Sequence, residues 1–360
     1  MNRRLFAGIF STAIVAALVT LAGCDSKPQT KRIIFLNNTS AAYWDTYRAG
    51  LEKGAEEFKL SDSHLTAVME VGDGTPQGQI DKLRQFQSQS DVAAVAISAI
   101  DAKNDAIAAE LQKLQDKGIP VIAVDNDMER TDARSYYIGT ENFEAGKVLG
   151  QAAKMLLEEK GVDEGSYVAF VGRTGADNAV KRMDGVQEAI APFTEADRMA
   201  DEVDRTRSRE NVRSAIANHP DAVALIGIWS YNGPAIADVV TEKNVRDKYA
   251  VVTFDAEPIT VDHMGKGTID LLVVQNPFEM GRQTARLLAA MVNEDGTVEK
   301  EMFPNAGQPD GDIYYTDLKV VVPNAESPIY KRKDEFGKDV QVQTFDEFKG
   351  WLDQYGLQGS

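Results

Sequence analysis

Gly118-Ile119-Pro120-Val121-Ile122-Ala123-Val124-Asp125 is the stretch whose reading decides the fold. The residues before it, Ala102–Lys117, carry apolar positions at helical spacing. Gly118 stops that helix, and Pro120 opens a strand in which three of the next four residues are β-branched. A run this short and this apolar fits a strand buried on both faces. Asp125 then places an acid where the strand ends. Helix, stop, buried strand and acid together form the repeating unit of a parallel sheet covered by helices.

The same unit recurs in both directions. Upstream, Ile33–Leu36, Thr66–Glu70 and Val92–Ile97 read as strands, separated by the helical patterns Tyr43–Phe58 and Gln77–Ser88. Downstream, strands at Tyr167–Val171, Val223–Ile228, Tyr249–Phe254 and Ile269–Gln275 alternate with helices at Asn178–Ala191, Arg209–Asn218 and Ala235–Lys243. The fold class is therefore α/β, with two doubly wound, Rossmann-like lobes.

In such sheets ligands bind outside the carboxyl ends of the strands. Four strand ends carry related chemistry: Tyr43 and Trp44 after the first, Asp125-Asn126-Asp127 after the fourth, and Asp255 and Gln275-Asn276 in the second series. Carboxylates and amides pair with vicinal hydroxyls, and aromatic rings cover the C–H face of a sugar. Each residue alone has a structural explanation, as a helix cap or as core packing. Recurrence at four strand ends points to a polyol site.

The N-terminus reads as an export signal. Arg3 and Arg4 precede Leu5 to Ala22, which hold no charge, and the run ends in Leu21-Ala22-Gly23-Cys24. That ending resembles the bacterial lipobox, which implies removal of residues 1–23 and acylation of Cys24. An uncleaved anchor helix is the competing reading, because about 17–25 apolar residues suffice to span a membrane. Asp25 resembles the signal that keeps a Gram-negative lipoprotein at the inner membrane. Residues 24–31 read as a tether.

Composition removes several function classes. The formal net charge is −17, and −19 without the segment holding Arg3 and Arg4, a surface that repels nucleic acid. Three scattered histidines and a single cysteine leave no His/Cys metal cluster, so no metal and no cofactor is expected. No nucleophile–base constellation or phosphate-cradling glycine loop stands out, so the chain reads as a binder, not an enzyme.

Taken in order, these segments resemble the type I periplasmic sugar-binding proteins of the ribose/galactose group. The likeness covers most of residues 31–322. It is carried by Tyr43-Trp44 with Gly50, the 118–125 stretch, Ile138-Gly139-Thr140-Glu141-Asn142 with Gly146, and Asn178 and Arg182 before Gly185. Further along it is carried by Val252-Thr253-Phe254-Asp255, Gly265 to Gly267, and Gln275-Asn276-Pro277 with Gly281. The resemblance implies a three-crossover hinge, with the chain passing between lobes near Gly139–Thr140, Gln275–Asn276 and Thr316–Asp317. Residues 32–139 and 276–316 would form the N-lobe, and 140–275 and 317–330 the C-lobe. Helix Phe278–Met291 would return to the N-lobe.

By the same resemblance Tyr43 and Trp44 stack on a sugar, and Asp125, Asp255 and Gln275 bind its hydroxyls. Asn178 and Arg182 are further contacts, with Arg182 alternatively bracing the hinge. Trp229 stands where ribose binders have asparagine. Asn126, Val180 and Ala41 replace other polar ligands of that group, which points to a larger or less polar sugar, or a sugar derivative. Asp127 completes the acidic segment after Val124.

The implied role is the substrate-binding lipoprotein of an ABC sugar importer, monomeric and membrane-tethered, presenting ligand to permease subunits. A periplasmic sensor for a histidine kinase or chemoreceptor is the alternative. A lactose-repressor-type regulator is excluded, because a signal peptide occupies the place of its DNA-binding headpiece. Residues 331–360 run past the usual end of the group. Their helical pattern, Phe345–Tyr355, either packs on the C-lobe or meets a membrane partner through the basic Lys331-Arg332-Lys333.

Overall fold

The computed structural model describes residues 29–360; the expected signal peptide, Cys24 and Asp25 lie outside the described residues. In chain order the strands are β1 (Lys31–Leu36), β2 (Leu65–Glu70), β3 (Val92–Ile97), β4 (Val121–Val124) and β5 (Tyr136–Gly139). There follow β6 (Ser166–Val171), β7 (Thr194–Ala200), β8 (Ala222–Gly227), β9 (Ala250–Phe254) and β10 (Leu271–Val274). The last are β11 (Ile313–Tyr315), β12 (Leu318–Val322) and β13 (Val340–Thr344).

They form two sheets, ordered β11-β5-β4-β3-β1-β2 and β13-β12-β10-β9-β8-β6-β7. Every strand pair is parallel except β10 with β12. The central strands are buried along their whole length because helices cover both faces, as the apolar runs require. Each sheet accordingly carries two apolar layers, one per face. The α/β class with two doubly wound lobes is the observed one.

Three of the four edge strands, β7, β11 and β13, escape the apolar-run criterion. Thr194-Glu195-Ala196-Asp197-Arg198-Met199-Ala200 (β7) carries charges because one side of an edge strand faces water. Val340-Gln341-Val342-Gln343-Thr344 (β13) alternates for the same reason. Residues 331–360 are thus not an appendage. β13 pairs in register with β12 from Leu318↔Val340 to Val322↔Thr344. Helix Phe345–Gln354 then starts at a capping box, Thr344 with Glu347, and buries Phe348 and Leu352 in the core of the second sheet.

The chain passes from the first sheet to the second after β5, back again between β10 and β11, and over once more between β11 and β12. Two of these passages touch, since Thr316 donates from its backbone N–H to the Gly139 carbonyl at 2.9 Å. Helix Pro277–Val292, which follows a strand of the second sheet, packs on helix Ala42–Glu57 of the first lobe. The contact is backbone to backbone. A Cβ at Gly50 would lie 1.9 Å from the Phe278 carbonyl oxygen, and one at Gly281 would lie 2.2 Å from that of Tyr47. Glycine at both positions lets this helix pair close, which draws the start of the second helix to the hinge.

Candidate functional site

The carboxyl ends of both sheets open on one interlobe cleft with a cavity of about 600 Å³. Nine of the ten candidate side chains line it: Tyr43, Trp44, Asp125 and Asn126 from the first lobe, and Asn178, Arg182, Trp229, Asp255 and Gln275 from the second.

The two aspartates are placed by the same backbone device. β4 ends at Val124 and β9 at Phe254, and in each case the next residue turns left-handed, with φ of +65° at Asp125 and +58° at Asp255. Aspartate tolerates this region better than most residues. Each then donates its N–H to the neighbouring strand, Asp125 to the Ile138 carbonyl at 2.9 Å and Asp255 to the Val273 carbonyl at 2.8 Å. The strand ends as an acid turns out into the cleft.

Tyr43 donates its hydroxyl to Asp125 Oδ1 at 2.9 Å, and Ser98 reaches Oδ2 at 3.5 Å. Burial pushes the Asp125 carboxyl up to about 6, against the lowering effects of the Tyr43 hydrogen bond and the Arg182 charge. Asp255 is raised for the same first reason, burial, and is held down by Arg182 and Gln275. The Gln275 side-chain amide donates to both Asp255 oxygens, at 3.2 and 3.1 Å. Burial next to Asp125 and Asp255 also raises the Tyr43 phenol well above its ordinary range.

Arg182 is 3% exposed, and its charge acts on both acids. Its Nε donates to Asn142 Oδ1 at 2.9 Å, an Nη donates to the Ile228 carbonyl at 3.2 Å, and the guanidinium lies 4.3 Å from the centre of the Phe254 ring. Fixed in this way, it neutralises part of the acidic charge and still borders the cavity. Its hydrogen-bond partners, Asn142 and Ile228, belong to the second lobe.

Trp44 is mostly core. It is 4% exposed, packs with Phe35, Tyr43 and Tyr47, and gives its indole N–H to Asn38 at 3.2 Å. It can offer a ligand ring surface but no hydrogen bond. Trp229 is different: its indole lies over Gly172, where a Cβ would meet the ring at 2.0 Å, and its Nε1 is buried without a partner. Asn178 Oδ1 is likewise buried and unpartnered. Both side chains line the cavity, so a bound ligand can pair with these two atoms.

Asp127 corrects the expectation for its segment. It does not line the cavity, because its two oxygens accept from Arg134 Nε at 2.8 Å and Arg134 Nη at 2.6 Å. Arg134 in turn binds Asp312, just before β11, so Asp127 braces the first lobe near the hinge. The sequence gives no sign of this, since Arg134 and Asp312 lie 178 positions apart.

The cavity also has walls that residue patterns did not single out. Glu257, two positions after Asp255, accepts from Ser230 at 2.8 Å and from Arg205 at 3.2 Å. Arg205 stacks 5.3 Å from the Tyr231 ring at the first turn of helix Arg205–Asn218, whose start the periodicity places four residues late. The spacing of Glu257 from Asp255 along one loop was the available signal. Ser360 lines the cavity as well, and no local pattern announces it. Among the described residues no group of His, Cys, Asp and Glu could hold a metal ion, and no helix is long and apolar enough to cross a membrane.

Comparison with known proteins places this geometry in context. Over 203 residues the chain is 26% identical to the xylose/arabinose-binding protein XylF of Sulfolobus acidocaldarius, covering 52% of this chain and 48% of that one. It is 23% identical over 196 residues to a D-apiose import binding protein of Actinobacillus succinogenes, covering 53% and 61%. The matched stretch thus spans about half to three-fifths of those relatives. In structure it is similar to the arabinose-binding protein AraP of Geobacillus stearothermophilus, with TM-score 0.69 and 20% identity, over 86% of this chain and 100% of that one. A solute-binding protein of Burkholderia graminis in complex with D-arabinose matches with TM-score 0.68 and 22% identity, over 82% and 96%. The family model described as a periplasmic binding protein domain matches residues 33–296, most of the chain, and this protein belongs to that family.

Proposed function

We propose that this protein is the substrate-binding component of an ABC-type sugar importer, taking a neutral monosaccharide or sugar derivative into the interlobe cleft and presenting it to a permease. The observation that carries the reading is the convergence, from both lobes, of two left-handed strand-end aspartates with two unpartnered buried groups, Asn178 Oδ1 and Trp229 Nε1. Carboxylates accept from ligand hydroxyls, Asn178 accepts one more, and Trp229 donates to a ligand oxygen. A polyol has both functions on every hydroxyl.

Charge narrows the class. Asp125, Asp255 and Glu257 face Arg182 and Arg205, so the ionised side chains of the lining sum to one unit negative. That balance disfavours sugar phosphates and sugar acids, whose anions would meet two desolvated carboxylates. The relatives, named for xylose, arabinose and apiose, support a neutral sugar, and the word import in the name of one supports transport over sensing. The role is binding, not catalysis.

Ligand contacts from both lobes favour the closed arrangement selectively, so occupancy shifts the lobe equilibrium. In the proposed setting Cys24 carries the lipid, Asp25 keeps the protein at the inner membrane of a Gram-negative host, and the monomer works from that tether. A thermal-shift screen tests the sugar assignment. A cognate monosaccharide at one hundred times its Kd adds about 2.7 kcal/mol of stability. Nucleosides or amino acids raising the melting temperature while no monosaccharide does would reject the assignment.

A further inference from the structure

Beyond helix Phe345–Gln354 the chain runs back to the cleft and touches both lobes. The Gly359 carbonyl accepts from the Thr46 hydroxyl at 2.9 Å, on helix Ala42–Glu57 of the first lobe and two residues from Trp44. Ser360 exchanges two backbone hydrogen bonds with Ala256, both 2.8 Å, in the second lobe and next to Asp255. Thr46 is fully buried and Ser360 is 4% exposed, so the seat is closed to water. It also selects its occupant: a Cβ at position 359 would lie 2.3 Å from the Ala256 carbonyl oxygen and 2.9 Å from the Pro258 ring. Only glycine passes there.

A second contact lies close by. Phe278, in the first turn of the helix that packs on the first lobe, meets Tyr355 at 4.5 Å and Trp351 at 5.6 Å between ring centres. Trp351 is fixed from the other side by Lys319 of β12, whose Nζ lies 3.7 Å from the ring centre and 3.4 Å from Asn276 Oδ1. Lys319 stands three residues beyond Thr316, and Asn276 follows Gln275, so this cluster rests on two of the chain passages between lobes.

We propose that residues 345–360 form a non-covalent clamp across the hinge, and that Gly359 and Ser360 are a specificity-determining wall of the cavity. Three covalent passages leave the lobes free to swing about them. The clamp adds a fourth link, and the Thr46–Gly359 bond survives only while helix Ala42–Glu57 and the Ala256 loop keep their present separation. It therefore favours this lobe arrangement over more open ones. Seating Ser360 beside Asp255 also shortens the cavity on that side, limiting the size of the ligand. The wall, but not the clamp, rests on the sugar-binding reading.

The test uses the purified protein, a variant lacking residues 357–360, and Thr46→Val, which removes only the donor to Gly359. Small-angle scattering reads lobe separation with and without D-arabinose, D-xylose, D-allose or D-galactose, and calorimetry reads affinity. Both variants are expected to show a larger mean radius of gyration without sugar. They should also need more sugar to compact, about threefold for Thr46→Val and about tenfold for the deletion. The deletion should in addition gain affinity for larger sugars relative to small ones. Radii identical to wild type in both variants, with and without sugar, overturn the clamp whatever the affinities do. Wild type that binds none of these sugars in the thermal-shift screen, but does bind a nucleoside or an amino acid, while the variants' radii still shift, rejects the sugar reading and leaves the clamp standing. Unaltered sugar preference in the deletion overturns the wall. Should the deletion unfold, Thr46→Val alone decides the clamp, and Gly359→Val, which cannot seat, decides the wall.

Discussion

Replacing Asp125 with Asn separates stability from binding at a single atom pair. Asparagine accepts the left-handed backbone at this position and keeps an oxygen for the Tyr43 hydroxyl, so the geometry is preserved. What changes is the charge. The carboxyl stands at about 6 in the folded protein against an ordinary 3.8, because burial disfavours its ionised form. The folded state therefore holds the proton more tightly than the unfolded chain. The resulting penalty is absent below pH 3.8, grows through the interval, and is complete above about 6. A separation of that size corresponds to about 3 kcal/mol. Asp125 still borders an open cleft, and allowing for screening there leaves about 2 kcal/mol. At pH 7.5 Asp125→Asn should therefore raise the melting temperature of the ligand-free protein by about 4–8 °C. At pH 4.5 only about a third of that gain should remain. Sugar affinity should fall in parallel by about 10–100-fold, as expected when a charge-assisted hydrogen bond is lost. Differential scanning calorimetry at the two pH values reads the first effect, and titration calorimetry the second. A variant no more stable than wild type at pH 7.5, or one whose gain is the same at pH 4.5, would refute the electrostatic reasoning.

Arg182→Met leaves Asp125 and Asp255 without the cation that acts on both and should cost about 3–5 kcal/mol at neutral pH. The loss should shrink as acid protonates the two carboxyls, a trend chemical denaturation at pH 7.5 and 5 will show. Gly50→Ala forces the Ala42–Glu57 and Pro277–Val292 helices apart and should destabilise by about 1–3 kcal/mol through overpacking; an unchanged denaturation midpoint would contradict the close approach. Asp255→Ala should abolish sugar binding while the protein stays folded by circular dichroism, and retained affinity would remove Asp255 from the site. Cys24→Ser should release a soluble, binding-competent protein on cell fractionation; continued membrane association would restore the uncleaved-helix reading.

The α/β class was legible because buried parallel strands are short apolar runs, and Val121–Val124 or Val92–Ile97 can be little else. The strand-end rule then brought Asp125, Asp255 and Gln275 into view without coordinates, since a strand's end is a local property of sequence. Edge strands such as Thr194–Ala200 stayed hidden, because a strand with one side in water needs no apolar run. Trp44 shows the limit of residue type as a guide. An aromatic at a helix start serves core and cleft alike, and only packing shows that its N–H is already taken by Asn38.

By itself, then, the sequence determined the alternation of elements, the sheet faces that must be covered, and the acids set at strand ends. The tertiary structure alone decided which of those acids face the cavity. Asp125 and Asp127 are two residues apart, yet one turns into the cleft while the other is held by Arg134. It also decided that residues 331–360 complete a sheet edge and carry Ser360 into the cavity wall. The reason is physical: local propensities act over a few residues. Asp312, which anchors the arginine that holds Asp127, lies 178 positions from that arginine, and Thr46 stands 313 positions from Gly359. Such pairs meet only when the lobes are packed.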